Sequence, residues 1–153
     1  KTMQAIAASG LRDALDQKAL GEKAPILGIC LGMQLLLDGS EEGREPGLGW
    51  VRGSAYRFPR DSALKVPHMG WNAVRATRAD PLTTDLGPDA RFYFVHSYRV
   101  HTAEPEAALL KTTYGVEFDA GVRSGNIWGV QFHPEKSHRF GKQLLKNFAD
   151  VPC

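Results

Sequence analysis

The sequence has only two cysteines, Cys30 and Cys153, among 153 residues. Two isolated thiols make no disulfide framework, so a reducing, cytoplasmic setting is expected. An excess of one charge is also missing. Nineteen basic against seventeen acidic side chains leave a formal charge of +2. That balance excludes a strongly basic nucleic-acid binder and an acidic tail protein. The longest apolar run, Pro25 to Leu37, is interrupted by Gln34 and is too short to cross a bilayer core of about 30 Å, so no membrane partner is expected. No charged-then-apolar signal segment opens the chain. No repeat, low-complexity tract or long linker divides it, and residues 1–153 read as one domain. His68, His96, His101 and His138 lack metal-ligand spacing with one another or with a cysteine. No Gly-rich phosphate loop of the Walker or dinucleotide type is present. Neither a metal site nor a cofactor is expected.

What is there is a globular balance, 42 % apolar and 24 % charged, sufficient for one core. Met3, Ile6, Ala7, Leu11, Ala14 and Leu15 fall at helical spacing and predict a helix from about Thr2 to Ala19, ending at Gly21. Ala24 to Cys30 reads as a strand buried on both faces, followed by a helix from Leu31 to Leu37. Glu41 to Gly49 reads as a loop, and Trp50 to Phe58 as a half-buried strand. Lys65 to Val74 reads as a loop leading into strand at Asn72. Arg91 to Val100 is the clearest strand, β-branched and aromatic-rich. Leu109 to Tyr114 is another. Ser124-Gly125-Asn126 turns the strand around Phe118–Val122 back into Ile127–Phe132 as a hairpin. A last helix covers Ser137 to Ala149. The expected fold class is α/β, with an open, mostly parallel sheet, an antiparallel extension, and helices on both faces. Such a domain normally opens with a strand that the first helix covers. Here the helix comes first, after Lys1-Thr2-Met3, and the domain is expected to be N-terminally incomplete.

Two stretches could carry chemistry. Gly28-Ile29-Cys30-Leu31-Gly32 has the pattern of a nucleophile elbow with cysteine in place of serine. A nucleophile on a tight strand-to-helix turn sits in a strained backbone conformation, and its neighbours two residues away must be small. The following helix would point its N-terminus at the sulfur and favour the thiolate, and the Leu31 amide would be an oxyanion donor. No second oxyanion donor is evident. The plain alternative is a buried structural cysteine between two packing glycines. His133-Pro134-Glu135 closes the strand 127–132. A thiol needs a base, and the base needs a group that fixes its tautomer, which Glu135 could supply across the rigid proline. The alternative is a strand-end histidine beside a solvated glutamate. Both stretches sit at the C-terminal ends of predicted strands, where open α/β sheets bind ligands. Gln34, one helical turn after Cys30, could face the same pocket. Trp50, Trp71, Tyr93 and Tyr98 read as core or strand-face aromatics.

Pro25-Ile26-Leu27-Gly28-Ile29-Cys30-Leu31-Gly32-Met33-Gln34 and Gly129-Val130-Gln131-Phe132-His133-Pro134-Glu135 resemble the two hallmark motifs of the class I, or triad, glutamine amidotransferases. Val66-Pro67-His68-Met69-Gly70-Trp71-Asn72 and Phe94-Val95-His96-Ser97-Tyr98 look like the glutaminase subunits of imidazole glycerol phosphate synthase, and the resemblance covers nearly the whole chain. It implies that Cys30 is the nucleophile, His133 the general base and acid, and Glu135 the residue that orients His133. It implies L-glutamine as substrate, with Gly28, Leu31, Gln34, His96, Ser97 and Tyr98 around it. It also implies a heterodimer with a cyclase, a (β/α)8 barrel, that receives the ammonia, and places Trp71, Tyr93 and Lys136 near that interface. Family members also carry an initial strand with a Tyr-Gly-Met-Gly-Asn-like segment and a Pro-Gly-Val-Gly oxyanion loop. Neither precedes the first helix here. Roughly fifty residues are expected to be missing, which would leave this chain alone inactive. The glutaminase part of GMP, anthranilate or carbamoyl phosphate synthesis is the nearest rival. A catalytically silent regulatory domain would have no physical reason to keep Cys30, His133 and Glu135 together. A peptidase-type cysteine hydrolase of this fold usually has a histidine directly after the nucleophile, where this chain has Leu31.

Overall fold

The computed structural model describes residues 1–60 and 63–153. Two short helices open the chain, α1 (Thr2–Ser9) and α2 (Leu11–Asp16), followed by a π turn at Gln17–Gly21. The single helix read from the periodicity is therefore broken. Gly10 takes φ 73°, a left-handed conformation that ends α1 and donates its N–H to Ala7 O. The apolar spacing runs straight through Gly10, so periodicity alone does not mark the break. Neither helix buries a residue fully.

Among the described residues ten strands follow in order: β1 (Ile26–Ile29), β2 (Gly39–Ser40), β3 (Gly53–Arg57), β4 (His68–Ala73), β5 (Arg75–Ala76), β6 (Arg91–His96), β7 (Tyr98–Thr102), β8 (Ala108–Tyr114), β9 (Val116–Ser124) and β10 (Ile127–Val130). Helix α3 (Leu31–Leu35) lies between β1 and β2, and α4 (His138–Ala149) closes the fold. The main sheet runs β1-β10-β9-β7-β3-β2, with β8 joined to β9 and β5 to β8. The fold is α/β, with a mixed sheet. Among the described residues parallel pairing is confined to β1/β10 and β2/β3, and the antiparallel part, expected as an extension, makes up the other ladders. The hairpin at Ser124-Gly125-Asn126 is present, with Ile127 opposite Ser124 and Gly125 at φ 60°.

The stretch read as one strand from Arg91 to Val100 is two strands that belong to different sheets. β6 pairs with β4 in a separate ribbon, and β7 pairs with β3 in the main sheet. Ser97 is the crossing point. The β-branched and aromatic composition is right for both halves, but a change of ladder partner leaves no local mark. Strand β4 likewise begins at His68, earlier than the Gly and Pro content around it suggested.

Helices cover both faces. On one face Met33, Leu36 and Leu37 from the α3 segment pack with Val100, Val122 and Ile127. On the other, Leu144 of α4 packs with Phe92, Trp128 and Phe132, and the rings of Phe92 and Phe132 stack at 3.9 Å. Adjacent residues Ile127 and Trp128 thus serve opposite cores, as strand alternation requires. No helix among the described residues is long and apolar enough to cross a membrane.

Candidate active site

β1 and β10 are parallel neighbours, with Ile29 opposite Val130. The residues that follow them therefore emerge at the same edge of the sheet. Cys30 leaves β1 there and donates its N–H to Val130 O at 2.8 Å, while Gln131 and His133 leave β10. Two stretches far apart in sequence meet because their strands share a ladder and a direction.

Cys30 takes φ 52° and ψ −108° as the residue before α3, a region that favours glycine. The elbow read from the sequence is formed. Its two glycines are not equivalent, however. A Cβ on Gly28 would lie 2.7 Å from Gly32 O, so the start of α3 can pass over β1 only if residue 28 has no side chain. A Cβ on Gly32 would meet nothing within 4 Å. The demand for a small residue is thus one-sided.

The Cys30 sulfur has two long hydrogen bonds, to Val95 O at 3.9 Å and from Gln131 Nε2 at 3.8 Å. Among the described residues it makes none to His133. Burial pushes the thiol up from its ordinary range. The Leu31 N–H and the Gln131 amide act the other way, and the charges of Glu135 and Glu42 add to the upward push. The Leu31 N–H at the start of α3 favours the thiolate, as expected, but less than burial opposes it. Helix α3 has five residues, too few for a strong terminal dipole, and desolvation outweighs it.

His133 is held from several sides. Its Nδ1 meets Glu135 Oε1 at 2.6 Å, and its N–H bonds Tyr93 O at 2.9 Å. Ser137 Oγ donates to His133 O at 2.6 Å and accepts from Tyr93 N at 2.9 Å. With Nδ1–H given to the carboxylate, Nε2 is the basic nitrogen of the ring. Ser137 is fully buried and was not picked out from the sequence. Its role depends on β6 lying beside the 134–136 turn, which no local pattern announces.

The other expected site residues divide. Gln34 is buried, and its Nε2 bonds both Tyr98 O at 3.3 Å and Gln131 Oε1 at 3.1 Å. The backbone of Val95 to Tyr98 does reach the site, through Val95 O on the sulfur and Tyr98 O on Gln34. Ser97 is half-buried at the sheet crossing, its carbonyl accepting from Phe58 N. The His96 ring turns into the core between Phe58, Phe94 and Phe118. It meets His68 at 2.9 Å and Tyr98 O at 2.8 Å. Burial holds both His68 and His96 at a pKa of about 4, so both are neutral near pH 7. Gln131, fully buried against the sulfur, was also missed. Its place in the hallmark motif was visible, but its direction was not. Trp71 and Tyr93 pack edge to face at 6.3 Å on the ribbon, with Trp71 and Met69 exposed, and Lys136 is exposed on the neighbouring turn. A cavity of about 670 Å³ opens beside Leu31 and Gln34, walled by Lys1–Gln4 and the loop around Glu42 to Gly47. Among the described residues no group of three or more His, Cys, Asp or Glu side chains could hold a metal.

Comparison with known proteins agrees with this geometry. Residues 6–151 match the family described as glutamine amidotransferase class-I. The "Imidazole glycerol phosphate synthase subunit HisH 2" of Pseudomonas aeruginosa is 47 % identical over 149 residues, covering 97 % of this chain and 74 % of that protein. "Imidazole glycerol phosphate synthase subunit HisH" of Bdellovibrio bacteriovorus is 47 % identical over 146 residues, covering 94 % of this chain and 72 % of that protein. Among solved structures, a glutamine amidotransferase from Thermotoga maritima aligns with a TM-score of 0.58 at 22 % identity, covering 90 % of this chain and 52 % of that one. Another glutamine amidotransferase reaches a TM-score of 0.62 at 17 % identity, over 94 % and 71 % of the two chains. These two establish likeness of fold. With the family match spanning nearly all its residues, this chain belongs to the class I glutamine amidotransferases.

Proposed function

We propose that the chain is the glutaminase subunit of imidazole glycerol phosphate synthase. It hydrolyses L-glutamine to glutamate and ammonia, and passes the ammonia to a partner cyclase of (β/α)8 form within a heterodimer. The observation that carries the reading is the elbow itself: Cys30 at φ 52°, on the sheet edge from which the Glu135-bound His133 also emerges. The identity of 42–49 % to relatives bearing that name supports the choice of synthase.

The steps follow from the groups present. The thiol proton passes to His133 Nε2, and the Cys30 sulfur attacks the side-chain carbonyl carbon of glutamine. Negative charge gathers on the carboxamide oxygen, beside the Leu31 N–H. As the C–N bond breaks, His133 returns the proton to the leaving nitrogen, and ammonia departs from a glutamyl thioester. Water then gives a proton to His133 and attacks the thioester carbon. Collapse of that intermediate breaks the C–S bond, releases glutamate, and restores the thiol with the proton from His133. Glu135 steadies the imidazolium formed in each half. Gln34 and the Val95–Tyr98 backbone hold the amino-acid end of the substrate. Trp71, Tyr93 and Lys136 lie at the cyclase interface.

The test uses a chloroketone analogue of glutamine together with a turnover assay in the presence of the cyclase. The expected result is one adduct, on Cys30 and not on Cys153. Equal labelling of both thiols would mean that Cys30 is not a nucleophile. Trp71→Ala should lower transfer of ammonia to the cyclase product while glutamine turnover continues. Unchanged transfer would reject the interface assignment and weaken the choice of synthase.

A further inference from the structure

One backbone carbonyl fixes the direction of two chains of hydrogen bonds behind Cys30. Tyr98 O can only accept. The Gln34 atom facing it at 3.3 Å is therefore the amide NH2. That same NH2 lies 3.1 Å from the Gln131 side chain, so the Gln131 atom there must be the oxygen. Only the NH2 of Gln131 is left to turn toward the Cys30 sulfur, 3.8 Å away. A second branch obeys the same carbonyl. His96 Nδ1 carries a proton because it too faces Tyr98 O, at 2.8 Å. Its Nε2 is then bare and accepts from His68 Nδ1–H at 2.9 Å. His68 Nε2 is bare in turn and accepts from Asn72 Nδ2 at 3.3 Å. Gln131, Gln34, His68 and His96 are all buried. Reversing any one amide would set donor against donor or acceptor against acceptor, where no solvent can relieve it.

The geometry points to Gln131 as a further catalytic residue: a donor held on the Cys30 sulfur, its polarity locked through Gln34 by the Tyr98 carbonyl. The inference rests on Cys30 being the nucleophile. An N–H directed at sulfur stabilises the thiolate more than the thiol, and its bond strengthens as charge arrives. This is the help the site needs, because burial and two nearby carboxylates oppose ionisation. The lock matters because an unrestrained glutamine could present its oxygen to the sulfur and oppose the thiolate instead.

The experiment follows the pH dependence of Cys30 alkylation by iodoacetamide, on the full chain carrying Cys153→Ser so that one thiol reports. Gln131→Met keeps the length of the side chain and removes the donor. Its alkylation midpoint should move up by about one pH unit, with alkylation at neutral pH about tenfold slower. Gln131→Glu, which sets a carboxylate on the sulfur, should move it further. An unchanged midpoint in a folded Gln131→Met protein overturns the proposal. Should that variant fail to fold, Gln34→Met removes the lock without touching Gln131. An upward shift there supports the proposal, and no shift overturns it. Failure of the nucleophile reading would show separately, as glutamine turnover that survives Cys30→Ala.

Discussion

Two buried polar clusters centre on Trp128 in β10 and on Gln131 just beyond its end, three residues apart, and they are built on opposite terms. Around Trp128 the cluster is closed. Asp80, with a fully buried carboxylate, meets Arg123 at 2.7 Å, Trp128 Nε1 at 3.1 Å and Leu82 N at 2.9 Å. The Arg123 guanidinium also lies over the Trp128 ring at 4.5 Å. Asn147 of α4 completes it by donating to Leu82 O and Thr84 O. Around Gln131 the bonds to the sulfur are long, the Cys30 backbone is strained, and burial opposes the charge of its thiolate. A carboxylate given short, charge-assisted donors is held still. A thiol given only weak partners remains available to a substrate. The difference marks which cluster holds the fold together and which one the proposed chemistry would use.

The two clusters should separate cleanly under mutation. In the protein assayed together with its cyclase, Cys30→Ala should lower glutamine turnover by about 10⁴-fold or more, with thermal stability essentially kept. Stability that falls along with turnover would show that the sulfur is a packing group. Asp80→Ala should do the reverse. It leaves Arg123 and Trp128 Nε1 without their acceptor and should cost about 3 kcal/mol, roughly 6–12 °C in Tm for a domain of this size. Cys30 alkylation below the transition should be unchanged. If alkylation changes as much as Tm, the two clusters are coupled.

The elbow was legible in the sequence because Gly28, Cys30 and the strand-to-helix change lie within one short stretch. The hairpin was legible at Ser124-Gly125-Asn126 for the same reason. What stayed hidden depends on distant partners. Nothing local at Ser97 says that β6 joins β4 while β7 joins β3. His96 could be read as a site residue, but its ring faces the core because His68 reaches it from the other strand of the ribbon. Gln131 sits in plain view in its motif, yet its donor function exists only once Gln34 and Tyr98 have been brought to it. The balance of parallel and antiparallel ladders was likewise unreadable, since a buried strand is apolar in either setting.

The histidine pair adds a pH dependence to the Gln131 side of the comparison. His68 and His96 are neutral in the folded state, with pKa values of about 4 against an ordinary 6.5. Unfolding releases them to take protons below 6.5. The unfolded chain therefore binds more protons between pH 6.5 and 4, and stability falls as pH falls through that window. At pH 5.5 the loss should be on the order of 1.4 kcal/mol per ring. Urea midpoints at pH 7 and 5.5 measure it. In His68→Asn the fall should be smaller, because one ring no longer contributes. A flat profile in the parent chain would mean that these rings are not held neutral.

The smallest expected effect, that of Gly32→Ala, lies inside the elbow, where the two glycines can be set against each other. In Gly28→Ala the new methyl meets Gly32 O, and neither β1 nor α3 can yield without moving Cys30. The cost should be about 1–3 kcal/mol, with slower alkylation of Cys30, because the strained turn has to open. In Gly32→Ala the methyl enters open space within the first turn of α3. Removing a glycine from a helix should then gain about 0.5–1 kcal/mol. Opposite signs in the two Tm values would show that the close approach, and not a general need for small residues, selects glycine in this motif. If Gly32→Ala also destabilised the fold, the open space beside α3 would have to be occupied.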